Sequence, residues 1–397
     1  MTDPLGQSQV IPYLQGLTAD GYHIFLLSCE KPAAFAANES LVQNLLAPYN
    51  ITWVPIKYTK NPPVLSTVMD IMKLRKEAKN IHKKYGLDMV HTRAGVPAIV
   101  GLWLKKKFGI KFMNDIREFY ADSRVEGDMW NLKNPLYKAV YKYFRKQEKE
   151  QMEHSDGIVC LTYAAEKIIK TWPEYRSNIP LQVIPCSADL ELFDPASINE
   201  KEKVELQKEL NIAATDVIVS YLGSIGGWYL TDEMMRFCKV LSDKNPAVKF
   251  LFISPHRHEE IIAAATKQNI AAEKILAKKA SRKQVPLLLS LSSYSMFFIK
   301  PCYSKQSSSP TKHGEIMAMG IPLVTNSGVG DVEMIVEQYK AGLIVHDFNE
   351  TAYAAVADNI NTGIVFNREQ IRTGAKEFYS LASAVEKYKT IYRNILG

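Results

Sequence analysis

The chain has 397 residues, 49 Lys+Arg against 42 Asp+Glu for a formal charge of +7, and 47% hydrophobic residues. That length suits two domains, and the composition excludes wholesale disorder. The most apolar run, Val285 to Ile299, is broken by four serines and a tyrosine and is too short to span a bilayer.

The opening, Asp3-Pro4-Leu5-Gly6-Gln7-Ser8-Gln9, reads as a glycine loop entering a helix. A loop of this kind should follow a strand, and none precedes it. Either the first sheet lacks a strand at its centre, with unpaired neighbouring edges, or the segment is something else. Short apolar runs then alternate with amphipathic ones. Strands are expected over His23–Ser28, Met89–His91, Lys111–Asp115 and Gly157–Leu161. Helices are expected over Gln9–Asp20, Val64–Lys84, Val96–Lys107, Leu136–His154 and Ala164–Lys170. After a linker around Ile184–Phe193 and a charged helix, Asn199–Glu209, a second series begins. Its expected strands are Val217–Leu222, Val248–Ile253, Lys274–Leu276, Ser295–Lys300, Pro322–Thr325 and Gly342–Val345. Its helices include Thr231–Leu241, Glu259–Gln268, Pro286–Ser290 and Pro310–Met319, and a last helix, about Ser380–Leu396, has no strand after it. Such alternation means α/β architecture: two doubly wound parallel sheets, over 1–190 and 191–375, facing across a cleft where the strands' carboxyl ends meet. Residues 376–397 are expected to form a terminal helix packing back on the first domain.

Basic residues cluster in Leu102–Phe112 and again in Asn131–Glu150, where Tyr137, Tyr141 and Phe144 recur at helical spacing. Two readings stand: a surface for an anionic membrane, or a solvated helix whose aromatic stripe packs on its own domain. No nucleic-acid motif accompanies the charge, so nucleic acid is not an expected partner. Cys29, Cys160, Cys186, Cys238 and Cys302 are scattered, with no Cys-x-x-Cys. With no basic-then-apolar leader, they point to a reducing cytoplasm.

The most informative run is Ser307-Ser308-Ser309-Pro310-Thr311-Lys312-His313-Gly314-Glu315-Ile316-Met317-Ala318-Met319-Gly320-Ile321-Pro322. Ser309 suits an N-cap and Pro310 the first helical position. The amides of Thr311 and Lys312, the helix dipole and the Lys312 ammonium would make an anion site. Glu315 follows one turn later on the Thr311 face, placed to accept hydrogen bonds from a ribose diol. The loop Gly223-Ser224-Ile225-Gly226-Gly227-Trp228-Tyr229 offers backbone amides for a phosphate, with Lys300 or Lys312 as the charge. In the first half, His91-Thr92-Arg93 and Asn114-Asp115-Ile116-Arg117 end two strands, and Asp122, Arg124 and Glu126 follow. These residues suit a polar acceptor, or an ion-pair network that organises a loop.

Three pieces together resemble the family 4 retaining glycosyltransferases of the GT-B fold. They are Pro310-x-Lys312-x-x-Glu315-x-Met317-Ala318-x-Gly320-x-Pro322, Ile184-Pro185-x-x-x-Asp189-x-x-x-Phe193, and the opening around Gly6. The resemblance implies two Rossmann-like domains and transfer of a sugar from a nucleotide-diphosphate sugar to a polysaccharide, lipid-linked or small-molecule acceptor. It implies that Glu315 holds the ribose, that Lys312 lies by the diphosphate, and that Gly6 sits in a loop approaching the donor. The donor set becomes Gly6, Gly223, Ser224, Lys300, Ser307, Thr311, Lys312 and Glu315. His91, Asp115 and Arg117 are the catalytic candidates, and Arg93, Asp122 and Arg124 the acceptor candidates.

Two departures matter. Ser307 stands where the family's Glu-x7-Glu pattern has its first acid, and the Gly223 loop carries neither Arg nor Lys. No Asp-x-Asp occurs, so neither a metal nor a further cofactor is expected. A catalytically impaired nucleotide-sugar binder and a sugar-nucleotide epimerase of the same architecture remain alternatives.

Overall fold

Every strand pairing is parallel. The computed structural model describes residues 1–397 as two units, Met1–Cys186 with Leu381–Gly397, and Ser187–Ser380.

The second unit holds β7 (Val217–Leu222), β8 (Val248–Ile253), β9 (Ile275–Lys278), β10 (Tyr294–Phe297), β11 (Leu323–Asn326) and β12 (Gly342–Val345). Their order is β12-β11-β10-β7-β8-β9. Helices cover both faces, so β10 and β11 are buried at every position, including the polar Ser295, Thr325 and Asn326. Strand order reverses between β7 and β10. In open α/β sheets, ligands bind beyond the carboxyl ends at such a point. β10 stops at Phe297, short of the expected Lys300, because the following residues turn to the glycine loop. The Phe298 carbonyl accepts from Leu230, and the Lys300 N–H donates to Trp228 at 3.0 Å.

The first unit holds β1 (Ile24–Glu30), β2 (Ile51–Lys57), β3 (Met89–Arg93), β4 (Lys111–Ile116), β5 (Gly157–Cys160) and β6 (Leu181–Val183). They form two separate sheets, β1-β2 and β3-β4-β5-β6. β2 was not expected, because Pro55 interrupts its run; as an edge strand it tolerates the missing N–H. Its preceding helix, Pro32–Leu46, was also unforeseen.

The terminal helix, Leu381–Leu396, belongs to the first unit and packs on the helix Ile11–Thr18. Close approach requires glycine at Gly16, where a Cβ would lie 2.6 Å from Val385. The boundary at Cys186/Ser187 falls four residues before the expected one.

Along the basic helix Pro135–His154, Phe144 is buried against Tyr120 and Trp130, with ring centroids at 4.9 and 5.4 Å. Tyr141 donates to Asp122 at 2.8 Å. Those two aromatics therefore face their own domain, while Lys138, Lys142, Lys146 and Lys149 are exposed.

Candidate functional site

The loops after β7, β10 and β11 in the second unit are tied together at the reversal point. Gly223 follows β7 with φ +113°, and a Cβ there would lie 2.9 Å from the Lys312 ammonium. Only glycine combines that backbone with that contact. Lys312 is buried, with Nζ 3.3 Å from the Tyr221 hydroxyl and 3.7 Å from the centre of the Tyr229 ring. This aromatic setting favours a cation weakly, yet burial lowers the lysine to about pKa 7, against a small opposing pull from Glu315.

The helix bearing it runs Thr311–Ala318. The sequence reading placed Ser309 at the N-cap and Pro310 inside the helix; the structure corrects this by one residue. Pro310, with ψ 118°, is extended and takes the N-cap position, where it has no side-chain oxygen to offer the helix start. The His313 N–H donates to the Pro310 carbonyl at 2.9 Å, and the amides of Thr311 and Lys312 point out of the helix start toward the glycine loop's side of the sheet. Glu315 is buried one turn on and accepts from Arg282 Nη1 at 2.8 Å. Burial raises its carboxyl above the usual range, with Arg282 pulling the other way.

Thr311 is half-buried at that start, and Ser224 is exposed in the glycine loop, its carbonyl accepting from Tyr221. Ser307 is fully buried and donates to the Ser304 carbonyl at 2.7 Å. Lys305 was missed in sequence: it is buried, with Nζ 3.6 Å from the centre of the Trp228 ring. Tyr221, Tyr229 and Arg282 were missed too. Tyr221 lies in a strand with no alternation to mark it, and Arg282 lies 33 residues before Glu315, so no local spacing connects them.

In the first unit, Asp115 is inaccessible and central. It accepts from Tyr388 at 2.8 Å and Arg117 at 3.3 Å, and lies 3.3 Å from His91 Nε2 and 3.5 Å from Arg93. Burial favours its neutral form, but Arg117, His91 and Arg93 prevail and hold it well below the usual carboxylate range. His91 Nδ1 is 2.9 Å from the Tyr392 hydroxyl. The network therefore ties the terminal helix to β3 and β4. Asp122 and Arg124 belong to a different cluster. Asp122 binds Tyr141 and Arg145, and Arg124 binds Glu118 at 3.0 Å.

Gly6 corrects its expectation. Pro4–Gln9 is a short helix with proline in its first turn, so Gly6 is helical, not in a loop. It is glycine because a Cβ would lie 2.6 Å from Met1 Cα.

The fold is of the GT-B type. Residues 202–376, within the second unit, match the family described as Glycosyl transferases group 1. The chain is similar to a solved glycosyltransferase from Rickettsia africae, at 16% identity and TM-score 0.73, covering 99% of this chain and 96% of that one. It is also similar to HepE of Anabaena, solved in complex with UDP, at 11% identity and TM-score 0.71, covering 98% and 97%. Spore coat protein SA of Bacillus subtilis is 23% identical over 252 residues, 57% of this chain and 62% of that protein. The chain thus spans less than two thirds of that curated relative's length.

Proposed function

We propose that the protein transfers a sugar, with retention of configuration, from a nucleotide-diphosphate sugar to a carbohydrate or lipid-linked acceptor, as in polysaccharide biosynthesis. The observation that carries this reading is Lys312 in the first turn of its helix, against Gly223, with Glu315 one turn further on. Glu315 takes the ribose diol. The helix amides and Lys312 take the diphosphate and stabilise the charge that builds on it as the sugar–phosphate bond breaks. Lys300 and the Ser224 backbone border the same loop, and Thr311 supplies an amide. The cited HepE structure with UDP supports a nucleotide donor. No metal and no further cofactor take part, since the cation is a lysine.

In the first unit, His91, Arg93 and Arg117 bind the acceptor. Asp115 is a positioning residue, because its carboxylate is buried and already bonded to all three. Asp122 and Arg124 shape the neighbouring helix. Leu136 and Tyr143, exposed beside the lysines of the Pro135–His154 helix, favour peripheral contact with an anionic membrane at the cytoplasmic face.

A thermal-shift panel of nucleotide sugars identifies the donor, and NMR of the product's anomeric centre reads the stereochemistry. An inverted anomer, or stabilisation by no nucleotide sugar, overturns the reading. A binder without turnover is the second reading, favoured by Ser307, which is buried and bonded internally where the family pattern has an acid. Turnover of the donor identified by that panel separates the two.

A further inference from the structure

The apolar core of the second unit is continuous, whereas that of the first is split into several clusters. The split coincides with a cavity of about 1040 Å³. Leu26 to Cys29 of β1 and Met89 to Arg93 of β3 line it. β1 pairs only with β2, and β3 only with β4, so each presents one unpaired edge. Along β1, Leu26 joins one apolar cluster and Leu27 the other, as in a strand covered on both faces. Leu17 of the helix Ile11–Thr18 and Leu74 of the helix Leu65–Tyr85 extend those two clusters along the cavity.

Two strand edges, a gap between them and apolar helices on both faces are what a sheet presents where one central strand is lacking. We propose that this slot takes one parallel β-strand of apolar character, joined in frame ahead of Met1. The direction follows from Met1 and Thr2. The Met1 ammonium pairs with Glu30, and the Thr2 N–H donates to the same carboxylate at 3.0 Å. Glu30 is the last residue of β1, so a strand leading into Met1 finishes at the carboxyl end of β1 and runs parallel to it. The Met1 nitrogen, once an amide, still carries the N–H that donates to Glu30.

Topology supports the same occupant. With the added strand counted first, the sheet reads 3-2-1-4-5-6-7, a doubly wound order growing outward on both sides of the first strand. Flanking strands of seven and five residues set its length at five to seven residues. Buried on both faces, it is rich in Val, Ile and Leu. The Pro4–Gln9 helix then becomes the start of the crossover from the added strand to β1.

The test compares residues 1–397 with a version extended by the ten or so codons that lie immediately upstream of Met1 in its gene, and with a third version carrying those residues scrambled. The natural extension should raise the melting temperature by at least ~4 °C. It should also slow amide exchange in peptides covering β1 and β3 by tenfold or more, on the order of what pairing a free edge gives. The scrambled one should do neither. Equal melting and exchange in all three versions overturn the proposal, as does an in-frame stop directly ahead of Met1. A second copy as occupant is a separate outcome that also overturns it: residues 1–397 would sediment as a dimer with the β1 and β3 edges already protected. None of these readouts depends on nucleotide or sugar, so the result stands apart from the proposed transferase chemistry.

Discussion

Arg282 donates to the Glu315 carboxylate at 2.8 Å, so the acid assigned to the ribose is already held by a cation before any ligand arrives. Arg282 is 43% exposed, with its guanidinium 5.4 Å from the centre of the Phe193 ring, whereas Glu315 is 8% exposed on its helix. The Glu315→Ala variant should weaken nucleoside diphosphate binding by about 1.5–3 kcal/mol, the range for a hydrogen bond to a charged group. Calorimetry on the folded variant checks this, and unchanged affinity removes Glu315 from the ribose. Burial raises the Glu315 carboxyl and Arg282 restrains the rise. Arg282→Ala should therefore shift the acid limb of nucleotide binding to higher pH, since a protonated Glu315 accepts less well. An acid limb that stays in place contradicts that coupling.

Lys312 should take up a proton when diphosphate binds. In the free protein burial lowers it to about 7, and a neighbouring phosphate favours the charged amine again. Titrations near pH ~8, above that value and below the unperturbed ~10.4, should show enthalpies that vary with the buffer's ionisation heat. The variation should vanish in Lys312→Met. The sign for stability follows from the same shift. Between about 7 and about 10.4 the unfolded chain binds more protons than the folded one, so this residue makes ligand-free stability rise with pH across that window. Buffer-independent enthalpies would place the diphosphate elsewhere.

Turnover should survive a chelator. Asp-x-Asp is absent from the sequence, and Lys312 occupies the place a cation would need beside the glycine loop. Activity lost in EDTA and restored by magnesium or manganese refutes this.

His313 should make the second unit acid-sensitive. Its ring is buried, burial depresses it to about 3, the Tyr379 hydroxyl lies 2.9 Å from Nδ1, and Nε2 has no partner. The unfolded imidazole takes a proton near pH ~6.5, so the folded form loses stability as pH falls below that value toward 3. Urea unfolding between pH 7 and 5 reads this slope by comparison with a variant, since Lys312 and Glu315 contribute equally to both chains there and the depressed Asp115 carboxylate acts only at lower pH. A His313→Leu variant should show a flatter slope over that interval. An identical slope would mean that the ring is protonated inside the fold.

What could be read from the sequence was local. The helix after Ser309, read one residue early, and the glycine turn at Gly223 rest on turn and capping chemistry within a few residues, and most of the parallel strands announce themselves as apolar runs. The Rossmann-like class of both units followed from the same evidence. Tertiary structure decided the partners. Arg282 reaches Glu315 and Tyr388 reaches Asp115 across 33 and 273 residues, and Tyr221 joins Lys312 because neighbouring strands bring their carboxyl ends together. Buried charge is stabilised by whatever the fold delivers within about 4 Å, and no sequence spacing encodes that distance. The slot between β1 and β3 belongs to the second level: two unpaired edges exist only once the strands have paired, because no local pattern in β1 or β3 states which neighbour each will have.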